Sequence, residues 1–302
     1  MTEMRKLTLT VTREQAGSRV KTLLLRDFHM ADSLIARVKL RETGLLLNGR
    51  RVYTNAVVQT GDVLTAEVGD DATGWEFPPI RAPLDIVFED ADLLILNKAA
   101  GMAVHGKTER TGEATVANAL AYRFGPGYRF HPVNRLDKNT SGLVLCAKSA
   151  FAAAALSGCA EKEYLALAQG TLPAEEGRID APIARRSDSI IGRCVSPDGK
   201  PSVTLYRVLA SDGRLSLVAC RLLTGRTHQI RVHLSWLGNP LAGDTLYGGS
   251  DREIARHALH CASMRFSQPV TGQTVLVHSS MPQDMLLCCE HHFGSIDQLL
   301  DQ

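Results

Sequence analysis

No stretch of this chain approaches the roughly 20 consecutive apolar residues of a membrane-spanning helix, so no helical span is expected. The first ten residues, Met1 to Thr10, are mixed and charged and lack the apolar core of a secretory signal. A cytoplasmic protein is therefore expected. The seven cysteines are scattered and form no C-x-x-C pair, which argues against a disulfide framework. His257, His260 and Cys261, and likewise Cys288-Cys289 with His291-His292, lack a second half at metal-ligand spacing, so structural roles are expected and no metal. A phosphate-binding glycine loop is absent, as are internal repeats and low-complexity tracts. There is no strong excess of either charge: 34 basic residues face 32 acidic ones, a formal net charge of +2.

What is present is the composition of an ordinary soluble globular protein, 44% hydrophobic and 22% charged. The 302 residues suffice for one large domain, or a large one plus a small one. The expected division is 1–72 for a small domain, 73–83 for a linker and 84–302 for a large domain. In the first segment Val20, Leu23, Leu24 and Phe28 have helical spacing. Asp32-Ser33 is placed to cap a second short helix carrying Leu34, Ile35 and Val38, with Gly44 placed to end it. Leu45-Leu46-Leu47 then meets Asn48-Gly49, a hairpin-turn signal. Gly61-Asp62 turns into the strand Val63 to Val68. Between Arg37 and Arg51, Arg37, Lys39, Arg41, Arg50 and Arg51 face one acid, Glu42. Such a run is either a solvated face or a basic patch for RNA.

This order of features resembles the small RNA-binding domain first seen in ribosomal small-subunit protein four. The resemblance covers roughly Arg19 to Val68 and implies that Ser33, Arg37, Lys39, Arg41 and Asn48 face RNA. Cap, solvated helix face and turn are their plainer roles.

From Gly69 to Pro83 glycine and proline crowd together, as in a linker, with Trp75 and Phe77 able to pin it. Beyond Leu84 short apolar runs alternate with turns and a few helices, Thr115 to Phe124 and Ala150 to Cys159 among them. Ser202 to Leu209 and Leu215 to Leu222 read as paired strands around Asp212-Gly213. The pattern is α+β, without a regular βαβ repeat.

Four ordered segments carry the chemistry. Arg135-Leu136-Asp137, two residues, then Thr140-Ser141-Gly142 precede an apolar strand. Alone, the triplet would read as a salt-bridged turn. The full string resembles the signature of the RluA-type pseudouridine synthases. Leu96 to His105 resembles that family's first motif, with Ala99 where proline is usual. Glu161 to Leu167 resembles the segment with the active-site tyrosine. Leu223 to His233, continuing through Gly238 to Gly248, resembles the third motif. Asn134 and Asn139 depart from the family's usual histidine and acid. The likeness runs over nearly the whole chain from Leu84 onward.

The resemblance implies a mixed, largely antiparallel sheet with a central cleft, plus the small N-terminal α/β RNA-binding domain. It implies isomerisation of uridine in a structured RNA, with Asp137 as the essential carboxylate, Arg231 as its cationic partner and Tyr164 packed against the target base. Arg135 would fill the gap left by the extruded base. The plainer alternatives are a surface arginine on a strand for Arg231, a buried strand aromatic for Tyr164 and a local salt bridge for Arg135. Arg226 and His228 are left as RNA-facing or structural. Isomerisation involves no net redox change and no hydrolysis, so no cofactor is expected. The two-domain layout favours large-subunit ribosomal RNA, with transfer RNA as the alternative. A monomer without an obligatory protein partner is expected. A non-catalytic RNA-binding or ribosome-assembly protein would lack one of Asp137, Tyr164 and Arg231. A glycoside-type hydrolase would need a second acid near Asp137.

Overall fold

A computed structural model of the chain describes residues 4–69, 74–106 and 112–296. The first of these stretches folds as β1 (Arg5–Thr10), α1 (Val20–Arg26), α2 (Asp32–Val38), β2 (Leu45–Leu47), β3 (Arg50–Arg51) and β4 (Val63–Val68). The strands make an antiparallel sheet in the order β1-β4-β2-β3. The apolar positions read as helical, Val20, Leu23 and Leu24 on α1 and Leu34, Ile35 and Val38 on α2, are buried. Asn48 and Gly49 sit at φ 52° and 76°, the pair of left-handed residues that a tight two-residue hairpin requires.

Two local expectations are corrected. The residue that caps α2 is Ala31, with no side-chain bond; Asp32 lies inside the first turn and pairs with Lys21 at 2.8 Å. Gly44 does not end α2, which stops at Val38. A Cβ at Gly44 would collide with the Val38 carbonyl, so glycine here permits a close approach of chain to helix end. The small unit's core also extends beyond its own residues: Ala147, Phe151 and Ala152 pack into it, and Arg5 pairs with buried Asp92 at 2.7 Å.

The expected boundary at 72/73 lies outside the described residues. Residues 74–83 hold no helix or strand. Phe77 pins them, edge-on to Phe130 at 5.9 Å between ring centroids, and the Asn118 side chain donates to the Pro78 carbonyl at 2.8 Å. Trp75 stays exposed.

The remainder runs β5 (Ile86–Glu89), β6 (Leu93–Lys98), α3 (Val116–Phe124), β7 (His131–Pro132), β8 (Ser141–Ala147), α4 (Ala150–Leu156), β9 (Glu161–Gln169), β10 (Glu176–Asp180), β11 (Ile183–Arg185) and β12 (Arg193–Val195). It continues with β13 (Val203–Ser211), β14 (Leu215–Leu222), α5 (Gln229–Trp236), β15 (Leu259–Ser267), β16 (Thr274–His278) and α6 (Gln283–Phe293). The main sheet has the order β10-β13-β14-β9-β15-β8-β6-β5, with β16 added to β15 and β7 to β8; β11 and β12 pair separately. Side chains alternate across it with the two-residue period of a strand. Tyr164, Ala166, Val218 and Cys220 face one core, with Val116 and Leu120 of α3 packed there. Leu165, Leu167, Leu215 and Leu217 face the other, covered by Met285, Cys288 and Cys289 of α6. All seven cysteines are free, and five are buried.

Among the described residues every strand pairing is antiparallel except β8 with β15. A parallel pair starts at the same end of the sheet, so the loops that precede its two strands lie side by side. The loop before β8 is the Arg135 to Thr140 segment, and the loop before β15 holds Arg256 and His257. Gly142 makes the close junction possible: at φ 103° it lies against Cys261, whose backbone a Cβ would strike.

Candidate active site

The loop carrying Asp137 is tied down from three directions. Asn134 donates to the Leu143 carbonyl at 3.1 Å and accepts from the Leu145 amide at 2.7 Å, which fixes the loop's start on β8. From β15's side, His257 meets Thr140 Oγ1 at 2.8 Å, His260 meets Ser141 Oγ at 3.0 Å, and Arg256 donates to the Asn139 carbonyl at 3.0 Å. The two histidines thus have the structural work expected of them. Burial pushes His257 down to about 4, so it is a neutral hydrogen-bonding ring at neutral pH. From β6's side, Lys98 donates to the carbonyls of Ala99, Met102 and Lys138 at 2.8, 2.8 and 3.0 Å. Burial lowers its pKa to about 7, but three carbonyl acceptors need three N–H donors, which only the ammonium has.

Asp137 projects from this loop into a cleft of about 620 Å³ that is also lined by Tyr164, Arg135, His228 and Arg231. Arg231 Nη1 donates to Asp137 Oδ2 at 2.9 Å. The remaining edge of the same guanidinium is held by Asp244, through Nε to Oδ2 at 2.7 Å and Nη2 to Oδ1 at 2.8 Å. That fork-to-fork pairing fixes the plane of the guanidinium as well as its position. Arg231 is 7% exposed and Asp244 1%. Burial works against the charge of Arg231, but Asp244 and then Asp137 outweigh it and its pKa is raised. The Tyr247 ring lies 5.0 Å from its Cζ. Arg231 is therefore a buried helix residue, and the strand placement weighed from the sequence is corrected: α5 begins at Gln229.

His228 sits at the entrance of α5 in a left-handed conformation, φ 59°. Its Nε2 is 3.6 Å from Asp137 Oδ2 and its Nδ1 2.7 Å from Tyr247 Oη. Burial lowers its pKa. No donor among the described residues meets Asp137 Oδ1. Tyr164, on β9, is 5% exposed and opposite Cys261 in register. Burial holds its phenol well above the usual value, with the Cys261 thiol and Asp137 adding to the effect, so it is a neutral hydroxyl. Arg135 is exposed at the rim and pairs with no carboxylate among the described residues.

The cleft continues into a second recess of about 520 Å³, bounded by Arg185, Arg193, Lys200 and Arg226. The small N-terminal unit presents Ser33 and Arg37 exposed on α2 and Lys39 exposed just past its end. Arg41 is half-buried and donates to the carbonyls of Glu67 and Gly69 at 3.0 and 2.9 Å. Asn48 spans its turn, donating to Asp62 at 2.7 Å and accepting from the Val63 amide at 2.8 Å. Both therefore hold local structure. Arg50 and Arg51 are exposed, with the Arg51 guanidinium 5.7 Å from the centre of the exposed Tyr53 ring.

Sequence reasoning passed over Asp244, Tyr247 and Lys98. Asp244 had a signal, an acid in the motif that follows the Arg231 segment, but nothing in the spacing said that it would grip Arg231.

A profile of the RNA pseudouridylate synthase family matches residues 92–236, the span that contains Asp137, Tyr164 and Arg231. The chain is 38% identical over 276 residues to YjbO of Bacillus subtilis (strain 168), described as an uncharacterized RNA pseudouridine synthase; the match covers 88% of this chain and 97% of that one. It is 37% identical over 311 residues to ribosomal large subunit pseudouridine synthase D of Vibrio parahaemolyticus, covering 94% of each. Among solved structures, human RNA pseudouridylate synthase domain containing 1 superposes with a TM-score of 0.57 and 30% identity, over 74% of this chain and 96% of that one. The chain belongs to the RNA pseudouridine synthase family, isomerases that act on RNA, and has that family's α+β fold with a large, mostly antiparallel sheet.

Proposed function

We propose that this synthase isomerises uridines of large-subunit ribosomal RNA, with Asp137 as the essential carboxylate, Arg231 its fixed cation and Tyr164 the residue against the target base. The observation that carries the assignment is the Asp137–Arg231–Asp244 array at the cleft. Arg231, itself locked by Asp244, sets a fixed positive charge against the carboxylate and orients Oδ2. The other oxygen, Oδ1, is left to face the sugar.

The reaction breaks the bond from the sugar's anomeric carbon to N1 of uracil and makes one from the same carbon to C5. The C5 proton leaves and N1 gains one, so atoms and electrons balance with no redox cofactor. A carboxylate beside the anomeric carbon can add to it, stabilise its positive charge, or take a proton from the neighbouring carbon. The Tyr164 phenol, kept neutral, offers a ring to stack on uracil and a hydroxyl near C5. A base in folded RNA must first be extruded, at roughly a few kcal/mol; unpaired Arg135 at the rim is placed to occupy the vacated stack.

The substrate assignment rests on the likeness to the large-subunit enzyme of Vibrio and on the layout of two charged regions. We assign 1–72 to RNA docking, through exposed Ser33, Arg37 and Lys39, with Arg41 and Asn48 shaping the same surface, and 84–302 to catalysis. The cations of the second recess extend the cleft's contact with RNA backbone. All site residues come from one chain, which suits a monomer, and we place the enzyme in the cytoplasm, where its substrate is.

The test is carbodiimide mapping of pseudouridine by primer extension in total RNA from cells lacking the gene. Complementation uses the wild type and Asp137→Ala. Loss of ribosomal sites restored only by the wild type establishes both activity and substrate. Loss confined to transfer RNA overturns the substrate and keeps the chemistry. Restoration by Asp137→Ala removes Asp137 from its role.

A further inference from the structure

The C-terminal helix α6 ends in a cluster that the cleft does not use. His292 Nδ1 lies 2.8 Å from Asp212 Oδ2 in the β13–β14 turn. A carboxylate can only accept here, so Nδ1 is the donor and Nε2 is the ring atom left to face elsewhere. The His292 side chain is 3% exposed, and its Nε2 is buried with no hydrogen-bond partner among the described residues. A buried polar atom left unpaired is destabilising, so an orphan of this kind calls for an explanation.

Glu253 Oε2 lies 3.5 Å from it. That is too long for a good N–H···O bond, which lies at about 2.7–3.2 Å. It is the spacing of two atoms that share a metal: ligands at about 2.0–2.2 Å on a tetrahedral zinc stand roughly 3.4 Å apart. His291 completes the set. One ligand atom from each of Glu253, His291 and His292 lies within 4.8 Å of the other two, and the two rings meet nearly at right angles, 88°. Arg214 also reaches Glu253, with Nη2 3.7 Å from Oε1.

We propose that His291, His292 and Glu253 bind one divalent first-row transition-metal ion, zinc above all, with Asp212 orienting His292. Two imidazoles and a carboxylate suit zinc and its neighbours cobalt, nickel and copper. Glu253 and His291 are exposed, so the fourth position opens to water. The ion ties the end of α6 to the loop before β15 and, through Asp212, to the β13–β14 turn. It fastens the helix that covers the second core. The sequence could not show this, because Glu253 is remote from the histidine pair and nothing in its spacing marks it.

The test is a titration of the full, chelator-treated chain with cobalt(II) at about pH 8, where imidazole is neutral. One equivalent should develop the visible absorption of a tetrahedral site, zinc should displace it, and zinc alone should raise the melting temperature. Glu253→Gln and His291→Gln alter exposed side chains and leave no buried hole. Each should weaken cobalt binding at least tenfold, and Asp212→Asn should weaken it by roughly 10- to 100-fold. If no saturable cobalt absorption develops, or if the Glu253 and His291 variants bind cobalt like the parent, the site is overturned. The cluster is then only a histidine side chain packed between Asp212 and Glu253.

Discussion

In the cleft, the guanidinium of Arg231 is 7% exposed and makes three charge-assisted bonds to carboxylates from two other segments, Asp137 and Asp244. In the small N-terminal unit, Arg37, Lys39, Arg50 and Arg51 come from fifteen consecutive residues and are exposed. The difference fits the roles proposed for the two regions. A charge that must hold another group in place during bond exchange needs a fixed direction and a low-dielectric setting, where its field is strong. Charges that dock a polyanion need only density and exposure, because phosphate contact releases counterions without demanding one geometry. Damage to the first region should therefore be large and specific, and damage to the second small, graded and sensitive to salt.

The largest effect falls on the carboxylate itself. Asp137→Asn removes the charge and keeps the shape, and Arg231 retains Asp244. Pseudouridine formation should fall by at least about 10³-fold, roughly 4 kcal/mol at the transition state, while affinity for RNA and melting temperature stay near those of the parent. A tritium-release assay on RNA labelled at C5, read beside a filter-binding isotherm, separates the two. If activity is retained, Asp137 is not the reacting group.

Asp244→Ala should act through stability. It strips the bidentate partner from a buried guanidinium, and breaking a buried pair from one side costs about 3–5 kcal/mol. Urea denaturation should show a midpoint shift of that size with an unchanged slope. A loss below about 1 kcal/mol would mean that Asp137 alone satisfies Arg231 and that the array is less constrained than its geometry implies.

The loop beneath Asp137 has its own pH signature. His257, with a folded pKa near 4, is neutral in the native chain, while an unfolded histidine titrates near 6.5. Between those values the unfolded state binds more protons, so the stability this residue contributes is full above about 6.5. It is lost as pH falls towards 4, by up to roughly 2–3 kcal/mol. His257→Gln, which can still reach Thr140, should flatten the slope of stability against pH across that window. An identical slope in the variant would assign the window to other groups.

The same contrast explains what could be read without coordinates. The N-terminal elements were legible because each is a local pattern: apolar spacing on α1 and α2, Asn48-Gly49 in its turn, alternation along β4. Even there Asp32-Ser33 and Gly44 misled, since a capping residue type says nothing about whether the chain starts its turn one residue earlier. Asp137, Tyr164 and Arg231 were found as members of ordered motifs. Their assembly was not visible in those motifs, because it depends on one parallel junction, β8 against β15, and on α5 swinging Arg231 towards a loop far behind it in sequence. Asp244 and Lys98 were missed for the same reason. Each makes its decisive bonds to groups that only the finished sheet brings near.

The smallest expected effect tests the docking side of the contrast. Replacing Arg37 or Lys39 with alanine should leave the turnover number on saturating RNA unchanged, because neither residue lies at the cleft. Affinity should fall only a few-fold per residue. The decisive reading is the dependence of affinity on salt: a lysine or arginine that meets a phosphate should lower the slope of log K against log salt by about one when removed. Arg41→Ala and Asn48→Ala should behave differently. Their side chains are engaged within the small unit, Arg41 on the end of β4 and Asn48 across its turn. They should lower the unit's stability by about 1 kcal/mol and affect binding only through the surface they shape. If instead Arg41→Ala lowers the salt slope while Arg37→Ala does not, the RNA runs across the end of β4, and the exposed face of α2 is merely solvated.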